Sequence, residues 1–307
     1  MSVNLANVYS TQFSNMVKPI YQQAAKFNNT IMTINGVQGS TYQFQRGGIV
    51  KANPKASSEL ITPSNVQYDK PVAILDNSVA AEFTDIFDQQ MVAFREGPFL
   101  VKSIGNALGR ATDQKVINAM AALTPGAGTL LAPASNRILG DGVVKNTALV
   151  DADIKPLSLS ALIAANGILN RLGVPNENRY LALNAVGIDS LMANSASGIN
   201  QVTSGDYNTT RVLVNGQLDT YLGFKIIMIG DRLEGGLPTI TPTSVQGIYG
   251  FAFHSDAIGM AMGIAPRIEV TYQAQYTSWL TTGLLLCGSA VIDRNGIVQI
   301  VHKNAIV

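Results

Sequence analysis

The chain has 307 residues, of which 47% are hydrophobic and 13% are charged, so it holds enough apolar material for one large or two ordinary domains. Its 21 basic residues nearly balance its 20 acidic ones, and the resulting net charge of +1 excludes a general electrostatic attraction to nucleic acids or anionic membranes. The scarcity of charge also argues against a disordered chain, and it indicates that part of the surface is covered by another molecule.

The sequence carries no sign of export or of a membrane span. Its single cysteine, Cys287, precludes an intramolecular disulfide and is typical of a reducing compartment. The N-terminal residues lack the basic and apolar regions of a secretory signal. Residues 270–292 are uncharged, but glutamines and threonines interrupt them, and the apolar part is shorter than the roughly 20 residues that a bilayer requires.

The first elements are a short helix and a long polar hairpin. Apolar residues at helical spacing predict an amphipathic helix over residues 10–28. Residues 42–75 place turn-forming glycines and prolines between alternating segments, which predicts a long two-stranded excursion. Because this hairpin has too few apolar side chains to bury itself, we expect it to be a flexible flap or to rest on another molecule.

The strongest helical pattern covers residues 80–123 and is interrupted by Gly97 and Pro98. We predict a short helix followed by a long one, because proline is favourable at the first position of a helix. Gly105 and Gly109 lower the helix propensity of the long helix. Their presence predicts close packing against a neighbouring element.

The rest of the chain mixes helices and strands, which indicates an α+β fold without internal repeats. After a loop-like segment over residues 127–155, the patterns predict a helix over residues 158–172, a strand over 179–183, a helix over 185–194, a strand over 211–214, a turn at 215–216 and a strand over 224–229. Strict alternation predicts a two-faced strand over residues 268–276. The last predicted strands, over residues 284–292 and 297–301, flank Asn295 and Gly296, a pair that favours a hairpin turn.

No arrangement of residues points to a catalytic or metal site. The two histidines, His254 and His302, stand in no zinc-binding pattern. His254, Ser255 and Asp256 are adjacent, but a catalytic triad is assembled by tertiary geometry, so this segment is interpreted as a polar turn. Cys287 is interpreted as a core residue. The sequence also lacks a nucleophile elbow and a phosphate-binding loop, and glycines 126 and 128 follow a helix, the wrong order for a dinucleotide site.

Two charged groups remain open to a functional interpretation. Asp85 and Asp88, near Glu82, could bind a cation or act as a general acid and base, although a solvated helix face is the simpler interpretation. The predicted hairpin is mildly basic, and few aromatic residues are placed to stack on bases. We therefore expect its basic side chains to contact acidic groups on another subunit; they are Arg46, Lys51, Lys55 and Lys70.

The order of the elements, together with several short motifs, resembles the major capsid proteins of tailed bacteriophages, which share the Hong Kong 97 type shell fold. The similarity is strongest to a capsid family of short-tailed phages. The motifs that carry it are residues 107–117 (ALGRATDQKVI), 173–181 (GVPNENRYL), 206–208 (DYN), 222–225 (LGFK) and 253–261 (FHSDAIGMA). Each motif alone has low specificity, but their order and spacing extend over residues 40–300.

The resemblance implies an α+β shell subunit with a defined division of the chain. It implies residues 1–40 as an N-terminal arm, 41–77 as an extended β-hairpin loop over a neighbouring subunit, 78–156 as a peripheral domain with a spine helix over about 98–123, 157–260 as a mixed α/β axial domain, and 261–307 as strands that return to the peripheral domain. The residues it makes candidates for inter-subunit contact are Arg46, Gly47, Gly48, Lys51, Lys55, Glu59, Arg95, Glu96, Arg110 and Asp113.

The resemblance also implies the partners and the place of action. The chain would assemble with itself into pentamers and hexamers of an icosahedral virion, inside the bacterial host cytoplasm. A separate scaffolding protein would be one partner, because the fold begins within the first 30 to 40 residues. Further partners would be a portal protein, a possible decoration or cement protein, and double-stranded DNA bound without sequence recognition. No enzymatic activity and no cofactor are implied. Some relatives cross-link a loop lysine to an asparagine, for which Lys51, Lys55 and Asn295 are candidates by residue type only.

Two other functions remain open at the level of sequence. The same shell fold also builds encapsulin-like nanocompartments that store enzymes, which would require a groove for cargo peptides. The third possibility is an α+β hydrolase that uses Cys287 or the region of His254. The near-zero net charge favours the capsid, because a strongly basic inner wall would bind the genome and hinder its packing and ejection.

Overall fold

A computed structural model describes residues 22–58, 60, 63, 66, 68–91, 97–122, 137–145, 148–193 and 220–304. The helices are α1 (Ile86–Met91), α2 (Gly97–Ala121), α3 (Leu159–Arg171) and α4 (Ala185–Ala193). The strands are β1 (Met32–Asn35), β2 (Thr41–Gln43), β3 (Arg46–Gly47), β4 (Tyr68–Asp69), β5 (Val72–Ile74), β6 (Asp76–Asp85), β7 (Arg137–Leu139), β8 (Arg179–Leu183), β9 (Thr220–Tyr221), β10 (Phe224–Met228), β11 (Thr239–Ile240), β12 (Gly247–His254), β13 (Ile258–Gln273), β14 (Ser278–Val291) and β15 (Ile297–Lys303).

Two sheets organise the fold. The first has four strands in the order β1-β13-β14-β6, with β13 and β14 forming a long antiparallel hairpin. The second has seven strands, in the order β7-β15-β12-β8-β10-β9 with β11 paired to β12. Parallel and antiparallel pairs are mixed in both sheets. This architecture of segregated sheets and helices is the predicted α+β class.

Helix α2 packs on both sheets. Its first half lies on the four-stranded sheet, where Ile104 and Leu108 form a buried cluster with Leu285 and Cys287. A Cβ atom on Gly283 would stand 2.4 Å from Cγ2 of Ile104, so the helix can approach strand β14 this closely only over a glycine. The second half of α2 contributes to the core below the seven-stranded sheet, through Val116, Ile117 and Met120.

The opposite face of the seven-stranded sheet is covered by α3 and α4. Buried leucines and alanines of α3 pack against strands β7, β8, β12 and β15. Gly173 follows α3 with φ +74°, the left-handed conformation that commonly terminates a helix. This sheet is therefore buried on both faces, and β8 and β12 are buried along their whole lengths.

Several predicted elements are confirmed by the structure. The long helix begins at Gly97, α3 and α4 lie where periodicity placed them, and β8 and β10 match the predicted strands. The close packing predicted for the helix glycines is also present: Gly109 lies against Ala25, and a Cβ on Gly105 would contact Ile268 at 3.6 Å. The strand and turn predicted over residues 211–216 lie outside the described residues.

Two local predictions are wrong. Residues 80–85 belong to strand β6 rather than to a helix, because ten residues of β6 pair in register with β14. The described part of the predicted N-terminal helix, residues 22–28, is not helical. The strand predicted over residues 268–276 is confirmed for its first six residues, but strand β13 begins earlier, at Ile258, and ends at Gln273.

The predicted hairpin at Asn295 and Gly296 is also wrong. Strand β14 belongs to the four-stranded sheet and β15 to the seven-stranded sheet, so the turn between them is a crossing between sheets. The chain crosses in the same way between β12 and β13, and the two crossing turns pack together: Ile292 donates its N–H to Ala257 O at 2.9 Å. A Cβ on Gly296 would lie 2.6 Å from Cβ of Ala257, so this contact requires glycine.

Candidate subunit-contact surface

The hairpin of residues 42–75 has a firmly packed root. Strand β2 pairs with β5, and β3 pairs with β4, so the two arms of the predicted excursion are antiparallel as expected. Phe44, only 4% exposed, packs with Ala73 and Leu75 against Ala261 of β13 and Ala290 of β14. The root is therefore attached to the four-stranded sheet by a small apolar core of its own.

Beyond the root, the hairpin is open to solvent. Residues 48–58 are all exposed and form no regular secondary structure. We call them the loop tip. Ile49 is 97% exposed, and Leu60, just after the loop tip, is 91% exposed. Exposed apolar side chains beside Lys51 and Lys55 are typical of a surface that another protein covers.

The other candidates of the hairpin lie at its root. The guanidinium of Arg46 forms an ion pair with Asp293 at 3.0 Å. Gly47 pairs with Tyr68, whose ring lies 3.7 Å from where a Cβ of Gly47 would stand. Gly48, Lys51 and Lys55 are in the loop tip. The structure thus brings this group together on one excursion of the chain, whereas Glu59, Arg95 and Glu96 lie outside the described residues.

Arg110 and Asp113 have a different environment, inside the subunit. Nε of Arg110 donates to both carboxylate oxygens of Glu234 at 2.9 Å. The Asp113 carboxylate is fully buried and accepts the backbone N–H groups of Lys26 and Phe27 at 2.8 and 3.1 Å. It also forms an ion pair with Arg232 at 2.7 Å. Their polar atoms therefore bind groups of the same chain.

Gln23 is a further polar side chain of this region, and no motif in the sequence identifies it. Oε1 of Gln23 accepts hydrogen bonds from Nε and Nη2 of Arg232 and from the N–H of Gly230. Arg110 also reaches this N-terminal segment, because its Nη1 donates to Gln22 Oε1 at 3.2 Å. This polar cluster, in which the side chains of Asp113 and Arg232 are fully buried, joins α2 to the segment before β1 and to the loop after β10. No sequence spacing could have revealed it, because its three segments are more than 80 residues apart.

Strand β6 and helix α1 form a second exposed surface at the edge of the four-stranded sheet. Its side chains are apolar and acidic, and the largest apolar ones are Val79, Phe83, Phe87 and Met91, with exposed fractions of 63, 49, 65 and 79%. The Phe83 ring contacts that of Tyr276 with centroids 5.3 Å apart. Exposed apolar side chains grouped at the edge of a sheet are typical of a protein contact.

The acidic residues of this surface do not form a catalytic pair. Oδ1 of Asp85 accepts the N–H of Phe87 at 2.8 Å, as a residue that precedes a helix commonly does. Glu82 and Asp88 are exposed to solvent, on β6 and α1 respectively. Across the described ranges, no three acidic, histidine or cysteine side chains are grouped so that they could hold a metal ion.

The residues considered for a hydrolase, which are Cys287 and those around His254, have structural roles. Nδ1 of His254 accepts the N–H of Asp256 at 3.2 Å, and the Ser255 hydroxyl donates to the Asp256 carboxylate at 3.1 Å. The hydroxyl is thus bonded to a carboxylate rather than to the imidazole that a triad would require. Burial raises the pKa of the Cys287 thiol, and a protonated thiol is a poor nucleophile.

None of the helices in the described part of the chain is long and apolar enough to cross a membrane.

Comparison with known proteins identifies the family of the chain. The profile of the phage capsid protein family matches residues 5–304. A comparison with curated proteins finds no match. Among solved structures, the capsid of cyanophage P-SCSP1u has a TM-score of 0.71 at 18% identity, covering 99% of this chain and 96% of that one.

Other phage capsids have the same fold. The cyanophage Pam1 capsid has a TM-score of 0.71 at 13% identity and covers 99% of this chain and 98% of its own. The capsid of Ralstonia phage GP4 also has a TM-score of 0.71, at 11% identity, with coverage of 96 and 95%. These likenesses establish the Hong Kong 97 type α+β fold, and the family match over nearly the whole sequence shows that the chain belongs to the phage capsid protein family.

Proposed function

We propose that this chain is the major capsid protein of a tailed bacteriophage, and that its copies assemble into the icosahedral head that encloses double-stranded DNA. The observation that carries the proposal is the hairpin, whose root is packed on the four-stranded sheet while its tip exposes apolar and basic side chains. Such a tip gains stability only when a neighbouring molecule covers it. A virion is the place where this protein acts.

The fold supports part of the division of the chain that the resemblance implied, but strands β7 and β15, which that division assigned to the peripheral domain, pair in the seven-stranded sheet. Under this proposal the seven-stranded sheet with α3 and α4 forms the axial domain, residues 157–260, which the returning strand β15 completes. The four-stranded sheet and the first half of α2 form the peripheral domain. Two of the buried clusters support the division, because one lies between the seven-stranded sheet and α3 and α4 and the other between the four-stranded sheet and α2. A third cluster joins the two sheets through Ile258 and Met260 of β13.

The contacts between subunits are proposed to lie on the loop tip rather than on the spine helix. Gly48, Lys51 and Lys55 are exposed, and Glu59 follows them in sequence. Arg110 and Asp113 are proposed to contribute to these contacts only indirectly, because they stabilise the subunit that presents the loop tip. Pentamers and hexamers, a scaffolding protein, a portal protein, a decoration protein and the packaged DNA are the partners proposed, with assembly in the host cytoplasm.

The proposal includes the absence of an enzymatic role, since the capsid family is structural. Neither the nanocompartment nor the hydrolase receives support from the family match or from the environments of His254 and Cys287. Sedimentation velocity of the purified chain, with electron micrographs of the fastest species, tests the function directly. Megadalton icosahedral particles are expected, alone or with the phage's scaffolding protein. A chain that stays monomeric in both conditions would overturn the proposal.

A further inference from the structure

The part of the chain that the structure describes contains three asparagines that are followed directly by glycine: Asn35, Asn166 and Asn295. A fourth, at position 215, lies outside the described residues. In such a pair the main-chain nitrogen of the glycine can attack the asparagine side chain, because glycine has no Cβ that obstructs the approach. Since the three pairs are alike in sequence, the local structure decides which of them can react.

The local structure restrains two of the three pairs. Gly167 lies inside helix α3, where its N–H is an intrahelical donor, and Oδ1 of Asn166 accepts a hydrogen bond from Nη1 of Arg179. In the turn between β14 and β15, the N–H of Gly296 donates to the carbonyl of Asp293 at 3.4 Å. Neither glycine nitrogen can reach the neighbouring side chain unless the helix or the turn first opens.

The pair Asn35-Gly36 has none of these restraints. Strand β1, at the edge of the four-stranded sheet, ends at Asn35, and both residues of the pair are exposed. Gly36 has a φ of +74°, and a Cβ there would have no atom within 4 Å. Within the described residues, neither the Gly36 N–H nor the Asn35 side-chain amide forms a hydrogen bond. The nucleophile and the amide carbon are therefore adjacent, solvated and free to adopt the geometry of attack.

We propose that Asn35 is a site of spontaneous covalent modification, at which the main chain itself converts the side-chain amide into a carboxylate. The Gly36 nitrogen forms a bond to Cγ of Asn35, the bond from Cγ to the amide nitrogen breaks, and that nitrogen leaves as ammonia with the proton of the Gly36 N–H. Water then opens the resulting cyclic imide. Cleavage of its bond to Cγ gives aspartate, and cleavage of its bond to the main-chain carbonyl carbon gives isoaspartate. The proposal goes beyond the shell function and does not depend on it.

The isoaspartate product changes the root of the hairpin, because it adds a methylene group to the main chain between β1 and β2. Just after the modified position, Val37 donates its N–H to Met262 O at 3.0 Å and packs against the apolar cluster of the root. Further on, Ser40 O accepts the N–H of Leu75 at 2.9 Å. An added methylene displaces Val37 from its acceptor on β13, so the modification weakens the attachment of the hairpin root.

Peptide mapping tests the site on the full chain. The unassembled subunit is incubated in mildly alkaline buffer, digested with pepsin at low pH and analysed by mass spectrometry. Asn35 should convert at least about tenfold faster than Asn166 and Asn295, because a misplacement of about 1 Å from the geometry of attack costs about a hundredfold in rate. In concentrated urea the three asparagines should react at similar rates, since only their sequence neighbours then differ. Equal rates in the folded chain, or an Asn35 that stays intact, would overturn the proposal.

Two variants connect the modification to the hairpin. Asn35→Gln keeps an amide but places it one methylene further from the Gly36 nitrogen, so it should remain unmodified. Hydrogen exchange should show that the Val37 and Leu75 amides lose protection in the incubated wild type and keep it in the incubated Asn35→Gln. Freshly purified Asn35→Asp carries the new charge without the longer main chain and should also keep it. Loss of protection in either variant, or full protection in the modified wild type, would overturn the effect on the hairpin root.

Discussion

At the residue scale, the fully buried Asp113 carboxylate joins three other groups of the subunit. It binds two backbone N–H groups of the N-terminal segment and the guanidinium of Arg232, and both side chains of the ion pair are fully buried. A buried ion pair contributes little net stability compared with apolar residues, but removal of one partner leaves an uncompensated charge. The pair therefore makes the position of the N-terminal segment on α2 specific.

The variant Asp113→Asn should lower the free energy of unfolding by about 3 to 5 kcal/mol, because Arg232 would remain buried without a counter-charge. Urea unfolding of the unassembled subunit measures this loss. Asp231→Asn, an exposed carboxylate beside Arg232, is the control and should change the same quantity by less than about 0.5 kcal/mol. Equal, small effects of the two variants would show that the buried pair is not needed for folding.

The imidazole of His302 makes the subunit sensitive to acid. It is fully buried, and burial lowers its pKa from 6.5 to about 4. Its Nε2 meets no hydrogen-bond partner among the described residues, and a Cβ on Gly187 would stand only 3.0 Å from that atom. The folded state therefore favours the neutral ring, whereas the imidazole of the unfolded chain binds a proton with its ordinary pKa of 6.5.

The resulting pH dependence has a definite sign. The contribution of His302 to stability is complete above pH 6.5 and is lost as the pH falls towards 4, a total of about 3 kcal/mol. Between about pH 7.5 and about pH 5, where most carboxylates stay ionised, the loss should be about 2 kcal/mol. Urea unfolding of the unassembled subunit at these two values should show a smaller pH-dependent loss in His302→Gln than in the wild type. An unchanged loss in the variant would assign the acid sensitivity to other groups.

At the element scale, glycines set how closely α2 can approach its neighbours. Gly109 faces Ala25, and a Cβ there would lie 3.1 Å from Cβ of Ala25 and 3.2 Å from its backbone nitrogen. The N-terminal segment is held at the same place by Asp113, so it cannot retreat without breaking the hydrogen bonds that Lys26 and Phe27 donate to that carboxylate. The cost in helix propensity at Gly109 is thus offset by the contact that the glycine permits.

Gly109→Leu should destabilise the subunit by about 1 to 3 kcal/mol, because its Cβ would lie 3.1 Å from Cβ of Ala25 and would force the N-terminal segment to shift. Gly167→Ala, in the exposed part of α3 with open space around it, is the matched control and should stabilise by about 0.5 to 1 kcal/mol. Thermal melting of the unassembled subunits compares the two glycines. An increase in melting temperature for both variants would contradict the packing role of Gly109.

The elements also show what the sequence could predict and what it could not. The helices after residue 97 and the strands β8 and β10 followed from periodicity, glycine and proline, because local chemistry and tertiary packing agree there. Strand β6 did not, since its apolar residues fit helical spacing equally well and only pairing with the distant β14 decides the conformation. The Asn295-Gly296 turn has the chemistry of a hairpin, yet packing against Ala257 directs the chain into the other sheet.

The contact surface, like the elements, could be predicted from the sequence only in part. The hairpin of residues 42–75 has few apolar residues, so the sequence predicts an excursion that needs a partner. The structure confirms its antiparallel arms and exposed tip. The structural role of Asp113 was not predictable, because its three partners come from residues 26, 27 and 232. Charged residues on a helix are ordinarily exposed, and burial of this one becomes evident only when the N-terminal segment and the loop after β10 are brought together.

At the scale of the whole molecule, the low charge content acquires a structural meaning. A subunit with neighbours around its perimeter needs fewer charged side chains for solvation, and its exposed apolar residues include one group on the hairpin and another along β6 and α1. The described apolar core, by contrast, is contained within the two sheets and their helices. Folding of the subunit and assembly of the shell therefore depend on different parts of the chain.

Deletion of residues 47–59, with a short glycine linker in their place, should separate these two processes. The subunit should keep its folding cooperativity and lose less than about 1 kcal/mol of stability, because the loop tip contributes to none of the buried clusters. Particle formation should be abolished, because the contact between subunits loses both its apolar residues and its lysines. Urea unfolding reports the first quantity, and sedimentation velocity with micrographs reports the second. Normal particles from the deletion would show that the shell is held together elsewhere, and a loss of folding would show that the loop tip belongs to the core.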